Sequence, residues 1–391
     1  MPAFASPARR APARTGLLAG LALALLAGSA LAEPAVVTSV KPGDGLYEIV
    51  AGKELVYVAA AGKRGEAAGR ILGLDPVTLA VKQTIELGDD PGFGLGINRR
   101  TGTLFATQTR TGSVAVIDLA TGKVAAEIKQ GDKAHVREVV VDEDADRAYV
   151  SVLGRRDAPS EIWILDGAGR KLAGTIGDLP GGVGGLALDA ANRRLFATAL
   201  ESNQIHEIDL AAGKLVRSFP SGGKGSINLA YDAAGGRLFV ANQESNDLTV
   251  LDAKDGTLLA TIPTGEGALG VTYDPARNLV FVANRRGGYL SIVDGKELKV
   301  LAHVVTGSMP NTVALDPASG RVYVSNKVKT AMRPPRPATA EGGAPAGAAP
   351  APQPVAAAPG APAAPPAGGP GGPRPAPMID PYGDTVTLVT P

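Results

Sequence analysis

One short strand recurs seven times along this chain, each copy a run of small and β-branched residues around an aromatic, as in Arg237-Leu238-Phe239-Val240-Ala241-Asn242. The aromatic falls at Tyr57, Phe105, Tyr149, Phe196, Phe239, Phe281 and Tyr323. Successive separations are 48, 44, 47, 43, 42 and 42 residues. A period in the forties is the length of one four-stranded blade. A single sheet of that size buries too little to stand alone, so the repeats must pack face to face around an axis. The sequence therefore predicts an all-β chain, a seven-bladed β-propeller.

A second marker runs in phase with the first. Strands of the type "VID" or "VLD" end at Asp75, Asp118, Asp166, Asp209, Asp252 and Asp294, and the seventh copy carries Thr390 instead. Each Asp precedes a turn, where its carboxylate can accept backbone N–H groups, and that turn role is expected of it rather than a metal. One unit shows the whole pattern: strands over 227–231, 237–241, 247–251 and 257–262, joined by "DAAGG", "NQESN" and "DAKDG". Short strands joined by Gly, Asp and Asn turns form antiparallel meanders. Small residues beside the first strands, such as Gly184-Gly185 and Gly267-Ala268, suit close packing between blades.

The last unit lacks a fourth strand, because the chain stops after the strand at 384–389. The segment Ala35–Gly43 reads like the fourth strand of other units. We expect it to pair with the last strand, closing the ring and hiding both edges. Between the second and third strands of that unit lies a Pro, Ala and Gly tract at 333–377. With almost no large apolar side chains it is expected to be a disordered loop. The propeller is thus expected over 33–332 and 378–391.

Residues 1–32 have the layout of a secretory signal, with Arg9, Arg10 and Arg14, an apolar run from Leu17, and a small-residue cleavage site ending at Ala32. The apolar run is too short for a stable bilayer anchor. The expected location is periplasmic or secreted, without membrane insertion. There is no Cys, which excludes disulfides, thiolate metal sites, a Cys nucleophile and covalent c-type haem. Net charge is +1, so no global field recruits nucleic acid or an anionic membrane.

The units "GRVYVSN", "RLFVANQESNDLTVLDAKDGTLLATIPTG" and "VFVANRRGGYLSIVD" resemble YVTN-type propeller repeats, and the family the chain is most similar to is the YncE-like periplasmic β-propeller proteins. The resemblance covers nearly all of the chain after the signal, apart from the Pro-rich tract. It implies a periplasmic, non-enzymatic protein with an affinity for single-stranded DNA or nucleotides. The repeat is specific for fold and weak for function, and no ligand residue carries over.

In such a fold the loops joining strands two and three share a face with the loops between blades. Those loops hold Lys63, Arg64, Arg110, Arg155, Arg156, Arg285, Arg286, Lys327 and Lys329. Gathered on one face, they are the candidate site for an anionic ligand, since Arg forks and Lys charges suit phosphates and carboxylates. Glu66, Asp157, Glu201, Glu244 and Asp247 share those loops and dilute the field. Single-strand binding also needs aromatic platforms; Phe93 and Tyr289 near loops are the candidates, and alternation does not decide where Trp163 points.

The catalytic inventory is thin. His206 and His303 occupy strand positions and read as structural; His135 is placed in an inter-blade loop and is the one candidate base. Asp89-Asp90 reads as a turn before a cation site. "GFGLG" at 92–96 lacks the strand–helix setting of a dinucleotide loop. The expectation is a binding protein without cofactor or metal, holding an anionic ligand or a protein partner. A lactonase- or lyase-type enzyme and an envelope scaffold reaching a partner protein through the Pro-rich loop stand as alternatives.

Overall fold

Runs of four to nine residues that alternate or stay apolar, punctuated by Gly, Asp and Asn, form every regular element among the described residues. The structure is a computed structural model and describes residues 34–63, 66–131, 134–154, 159–328 and 380–391. The expected signal at 1–32, the tract at 333–377, and Arg64, Arg155, Arg156 and Lys329 lie outside the described residues.

The first strand, β1 (Ala35–Val40), belongs to the last blade. Blade one holds β2 (Leu46–Ala51), β3 (Val56–Ala60), β4 (Gly69–Leu74) and β5 (Val81–Gly88). Blade two holds β6 (Leu95–Asn98), β7 (Thr103–Gln108), β8 (Ser113–Asp118) and β9 (Lys123–Lys129). Blade three holds β10 (His135–Asp142), β11 (Arg147–Leu153), β12 (Ser160–Asp166) and β13 (Lys171–Leu179). Blade four holds β14 (Val183–Asp189), β15 (Arg194–Ala199), β16 (Gln204–Asp209) and β17 (Lys214–Pro220). Blade five holds β18 (Ser226–Asp232), β19 (Arg237–Asn242), β20 (Asp247–Asp252) and β21 (Leu258–Pro263). Blade six holds β22 (Ala268–Asp274), β23 (Leu279–Asn284), β24 (Tyr289–Asp294) and β25 (Lys299–Val305). Blade seven takes β26 (Pro310–Leu315), β27 (Val322–Asn326) and β28 (Thr385–Thr390), then β1 as its outermost strand.

The seven sheets are antiparallel meanders, each of four strands. First strands neighbour one another around the ring, and β26 of blade seven meets β2 of blade one. The expected closure is present: β1 pairs with β28 from Ala35 opposite Thr390 to Val40 opposite Val386. Ser39 and Thr387 share a hydroxyl hydrogen bond of 2.9 Å across that pair. The seam is tied again where Tyr323 Oη donates to the Pro76 carbonyl at 2.8 Å and the Leu46 N–H donates to Asp384.

The core lies between blades. One apolar cluster joins blade seven to blade one through Leu46, Val58, Leu72, Tyr323, Val386 and Leu388. Others join each successive pair in the same way. The repeating aromatic is the centrepiece: Phe105, Phe196, Phe239, Phe281 and Tyr323 have no solvent exposure. Burying such a side chain is worth about 2–3 kcal/mol.

The polar residues of the repeat are equally positional. The turn Asp residues accept N–H groups two and three residues ahead, as Asp75 does from Val77 and Thr78 and Asp294 from Lys296 and Glu297. The Asn closing the second strand is buried in blades five, six and seven. Its Nδ2 reaches a hydroxyl on the third strand: Asn242 to Thr249, Asn284 to Ser291 and Asn326 to Thr387. Each hydroxyl donates on to the carbonyl of Ser221, Thr264 or Thr306, in the connection that enters the blade. A buried amide earns its place only when bonded, and here it pins the inter-blade loop.

Candidate functional site

The first strand is interrupted where it enters the central channel in every blade but the second. Register shifts fall between Leu46 and Ile49, Val136 and Val139, and Val183 and Leu186, with equivalents in blades five to seven. A bulge re-aims the side chains it contains. In blades two, three, four and seven a Ser or Thr two residues after the blade aromatic braces this stretch. Thr107 Oγ1 accepts the Gly94 N–H at 2.8 Å and donates to the Arg137 carbonyl of the next blade at 2.8 Å. Thr198 does the same between Gly185 and Ile227. Ser151 accepts the Glu138 N–H at 3.0 Å.

Glycine is required beside these bonds. A Cβ on Gly94 would lie 2.0 Å from the Arg137 carbonyl oxygen, and one on Gly185 would lie 2.6 Å from that of Ile227. This explains "GFGLG" as packing sequence, and bears out the expected role of Gly184-Gly185. Gly267 differs: its φ of +70° marks a turn.

The channel opens on the loop face into a cavity of about 700 Å³. Tyr47, Phe93, Arg137, Ile227, Leu269 and Asn311 line it from equivalent positions at or just before the first strands, and Thr109, Leu200, Gln243, Arg285 and Lys327 from the ends of second strands. A second cavity of about 300 Å³ lies deeper, lined by residues such as Leu188, Tyr231 and Tyr273. Glu48, Glu138, Asn228 and Thr312 line both, so they form the waist between them.

Of the nine expected cations, Arg110, Arg285 and Lys327 line the mouth cavity. Lys63 does not; it lies on the exposed rim 3.8 Å from Asp44. Arg286 does not either, since it donates to the Gln243 carbonyl and Asn246 Oδ1. Phe93 is at the mouth, edge-on to Tyr47 with ring centroids 4.6 Å apart. Tyr289 donates to the Thr264 carbonyl and packs edge-on against His303, away from the cavity. Trp163 is fully buried in the core between blades two and three. His206 is a buried link from Ser218 to the Pro180 carbonyl, and His303 bonds Ser291, both as strand residues. His135 is not in a loop: it is the first residue of β10, at the cavity wall. Asp90 is tied to Thr111, and its carbonyl accepts from Gln108.

Arg137, Glu48, Glu138 and Tyr47 are the site residues that reading the loops missed. They lie on first strands, not loops. The signal was in the repeat alignment: blades one and three carry Glu where others carry Gly94, Gly185, Asn228, Gly270 or Thr312.

The electrostatics follow from crowding charges in a partly desolvated channel. Burial pulls the guanidinium groups of Arg137 and Arg285 below their ordinary value. Burial, and then the Arg285 charge, pulls the Lys327 ammonium down to about 7, against the opposing charge of Asp384. Its Nζ sits 2.9 Å from the Tyr47 ring centroid, a cation held on an aromatic face. Nε of Arg285 is buried without a hydrogen-bond partner. On the acid side, burial raises Glu138 to about 7, partly offset by Arg137. Burial and then Glu138 push Glu48 well above the usual range, although Ile49 N–H and Thr312 favour its charged form.

These shifts fix a pH profile of stability. From the ordinary value of 4.5 up to about 7, the folded chain holds a proton on Glu138 that the unfolded chain has lost. Stability therefore falls as pH rises through that window. From about 7 up to 10.5, the unfolded chain keeps a proton on Lys327 that the folded chain has released, so stability rises with pH there. Together these two contributions favour a minimum near neutrality. Denaturant melts across the pH range should show it, with Glu48→Gln and Glu138→Gln together flattening the acid limb and Lys327→Met the alkaline one. A profile that peaks at neutrality contradicts it.

Comparison with known proteins adds the fold relatives. No family profile matches the chain. Over 185 residues it is 32% identical to YncE of Escherichia coli (strain K12), covering 44% of this chain and 51% of that protein. YncE of Salmonella typhi matches with the same identity and coverage. The chain spans about half the length of the curated relatives it matches. Among solved structures, a chain of hydrazine synthase from Kuenenia stuttgartiensis superposes with a TM-score of 0.61 at 19% identity, covering 73% of this chain and 94% of that one. That likeness concerns fold alone. The YncE identities agree with the resemblance read from the repeat, and the propeller with seven blades agrees with both.

Proposed function

We propose that this propeller is a binding protein, exported from the cytoplasm, that takes the acidic group of a small ligand into the loop-face mouth of its channel and performs no chemistry on it. One observation carries the reading: Arg137, Arg285 and Lys327, from blades three, six and seven, converge on one cavity. Desolvated cations whose nearby anions only partly offset burial cost free energy, and an entering phosphate or carboxylate reduces that cost. A cavity of about 700 Å³ is of the size that small ligands occupy.

The same arrangement favours a compact anion, such as a nucleotide phosphate, over a continuous single strand. A strand needs cations spaced along a groove, whereas Lys63 and Arg286 are engaged on the rim. Export rests on the basic, apolar and small-residue segments of 1–32.

Titration calorimetry with sulfate, a mononucleotide and a labelled oligonucleotide tests the proposal. Sulfate and the mononucleotide are expected to bind, more weakly as salt rises. Sulfate does not titrate near neutrality, so its affinity should fall as pH climbs through about 7 and Lys327 loses its proton. Absence of sulfate and nucleotide binding at low salt defeats the reading. Oligonucleotide binding with a steep salt slope, without sulfate binding, would favour a strand instead.

A further inference from the structure

The cations at the mouth have a counterpart at the waist. Glu48 and Glu138 line both cavities, so an entering ligand meets the cations first and the two carboxyls next. We propose that the ligand is a zwitterion, its acidic group held by Arg137, Arg285 and Lys327 and its ammonium group held between Glu48 and Glu138, as in a free amino acid or a short peptide. This rests on the anion-binding reading above and names the second charge of the ligand.

The fold does not need acids at these positions. Equivalent places in other blades are filled by Gly94, Gly185, Asn228, Gly270 and Thr312. Both Glu residues sit inside bulges, with Ser151 bonding the Glu138 N–H and Phe93 the Glu48 N–H through its carbonyl. Their backbones are thus fixed and their side chains are aimed at the channel. Among the described residues neither carboxylate forms an ion pair with a lysine or arginine. Two neighbouring carboxyls that resist ionising together are relieved by a cation placed between them. The wall offers Tyr47, Phe93, Leu200, Ile227 and Leu269 for an apolar side chain.

The charged groups facing this space are Glu48, Glu138, Arg137, Arg285, Lys327 and, at the rim, Arg110, with His135 beside them. Two opposite proton linkages follow. An anion without an amine draws a proton onto Lys327. A zwitterion also drives protons off Glu138 and Glu48, as its ammonium favours their charged forms.

The experiment is calorimetry on the full chain with L-phenylalanine, its dipeptide, hydrocinnamate (the same acid without the amine) and sulfate, each in two buffers of different ionisation enthalpy. The amine is expected to tighten binding at least about tenfold over hydrocinnamate, the scale of a hydrogen bond between charged groups. Relative to hydrocinnamate, the amino acid or dipeptide should shift the linkage toward proton release, and proton uptake should accompany sulfate. Glu48→Gln and Glu138→Gln, each shown to be folded by a cooperative melting transition, should reduce the preference to about twofold and keep sulfate binding. The tighter of amino acid and dipeptide identifies the source. Hydrocinnamate binding as tightly as phenylalanine, with sulfate still bound, overturns this inference and leaves the anion reading standing. Loss of sulfate and hydrocinnamate binding alike overturns both.

Discussion

Deletion of residues 34–41 is expected to lower the melting temperature by about 10 °C and to make the protein self-associate. The segment supplies β1, the outermost strand of blade seven, which pairs with β28 from Thr390 back to Val386. Without it, the last blade keeps three strands and β28 becomes an open edge. Residues Thr385–Val389 of β28 are buried in the closed ring, and an uncovered edge of that kind pairs with other chains. The lost ladder and the Ser39–Thr387 bond together amount to on the order of 6 kcal/mol, and a chain of this size shifts about 1–2 °C for each kcal/mol. Differential scanning calorimetry and sedimentation check both parts. A peptide of residues 34–42 added in trans should restore the transition. A deletion variant that melts like the parent and stays dispersed contradicts the ring closure.

The second large effect concerns the opposite face of the disc. Asp189, at the end of β14, is 3% exposed. It accepts bonds from Asn192, from Arg194 at 2.7 Å and from the Tyr231 hydroxyl of the next blade at 3.1 Å. Arg194 also bonds Glu207 at 3.1 Å and lies over the Phe196 ring, and Arg217 bonds the same Glu207 at 2.6 Å. Burial alone would raise the Asp189 carboxyl, but the bonds from Asn192, Arg194 and Tyr231 outweigh it and hold it below its usual range. Asp189→Ala removes the buried carboxylate partner of Arg194, leaves the Tyr231 hydroxyl without its acceptor and is expected to cost about 3 kcal/mol, close to 4 °C in melting temperature. A carboxylate stabilised in this sense gives stability above its unfolded value and loses it as pH falls. The gap between parent and variant should therefore narrow in acid. Asp232 and Arg237 repeat the device with Tyr273 packed on Phe239, so Asp232→Ala serves as an independent check. Two variants that melt like the parent would show that these bonds carry no net stability.

The fold was legible because the repeat is physical before it is statistical. A wedge with one aromatic at its centre must recur at the length of four strands, and Tyr57 to Tyr323 recur at that length. The closure was legible because an open edge at β28 had to be covered, and Ala35–Val40 was the one unassigned strand. The site was only partly legible. Arg110, Arg285 and Lys327 follow from loop position, since the ends of second strands surround the channel. Lys63 and Arg286 share that position in sequence, but Asp44 and the Gln243 carbonyl capture them on the rim. Local capture of this kind leaves no periodic trace. Arg137, Glu48 and Glu138 were missed because they lie within bulges, where alternation no longer reports direction. Trp163 belongs to the same class of problem: alternation left its direction open, and packing between blades two and three settles it in the core.

The convergence of three cations on the channel mouth is the claim on which the functional account stands. Its most direct test is sulfate affinity of the parent protein set beside that of a variant carrying Arg137→Gln, Arg285→Gln and Lys327→Met, both shown to be folded by their melting transitions. The account predicts saturable binding to the parent at low salt and a loss of about a hundredfold or more in the variant, from removing charge-assisted bonds. Equal affinities in the two proteins would contradict it.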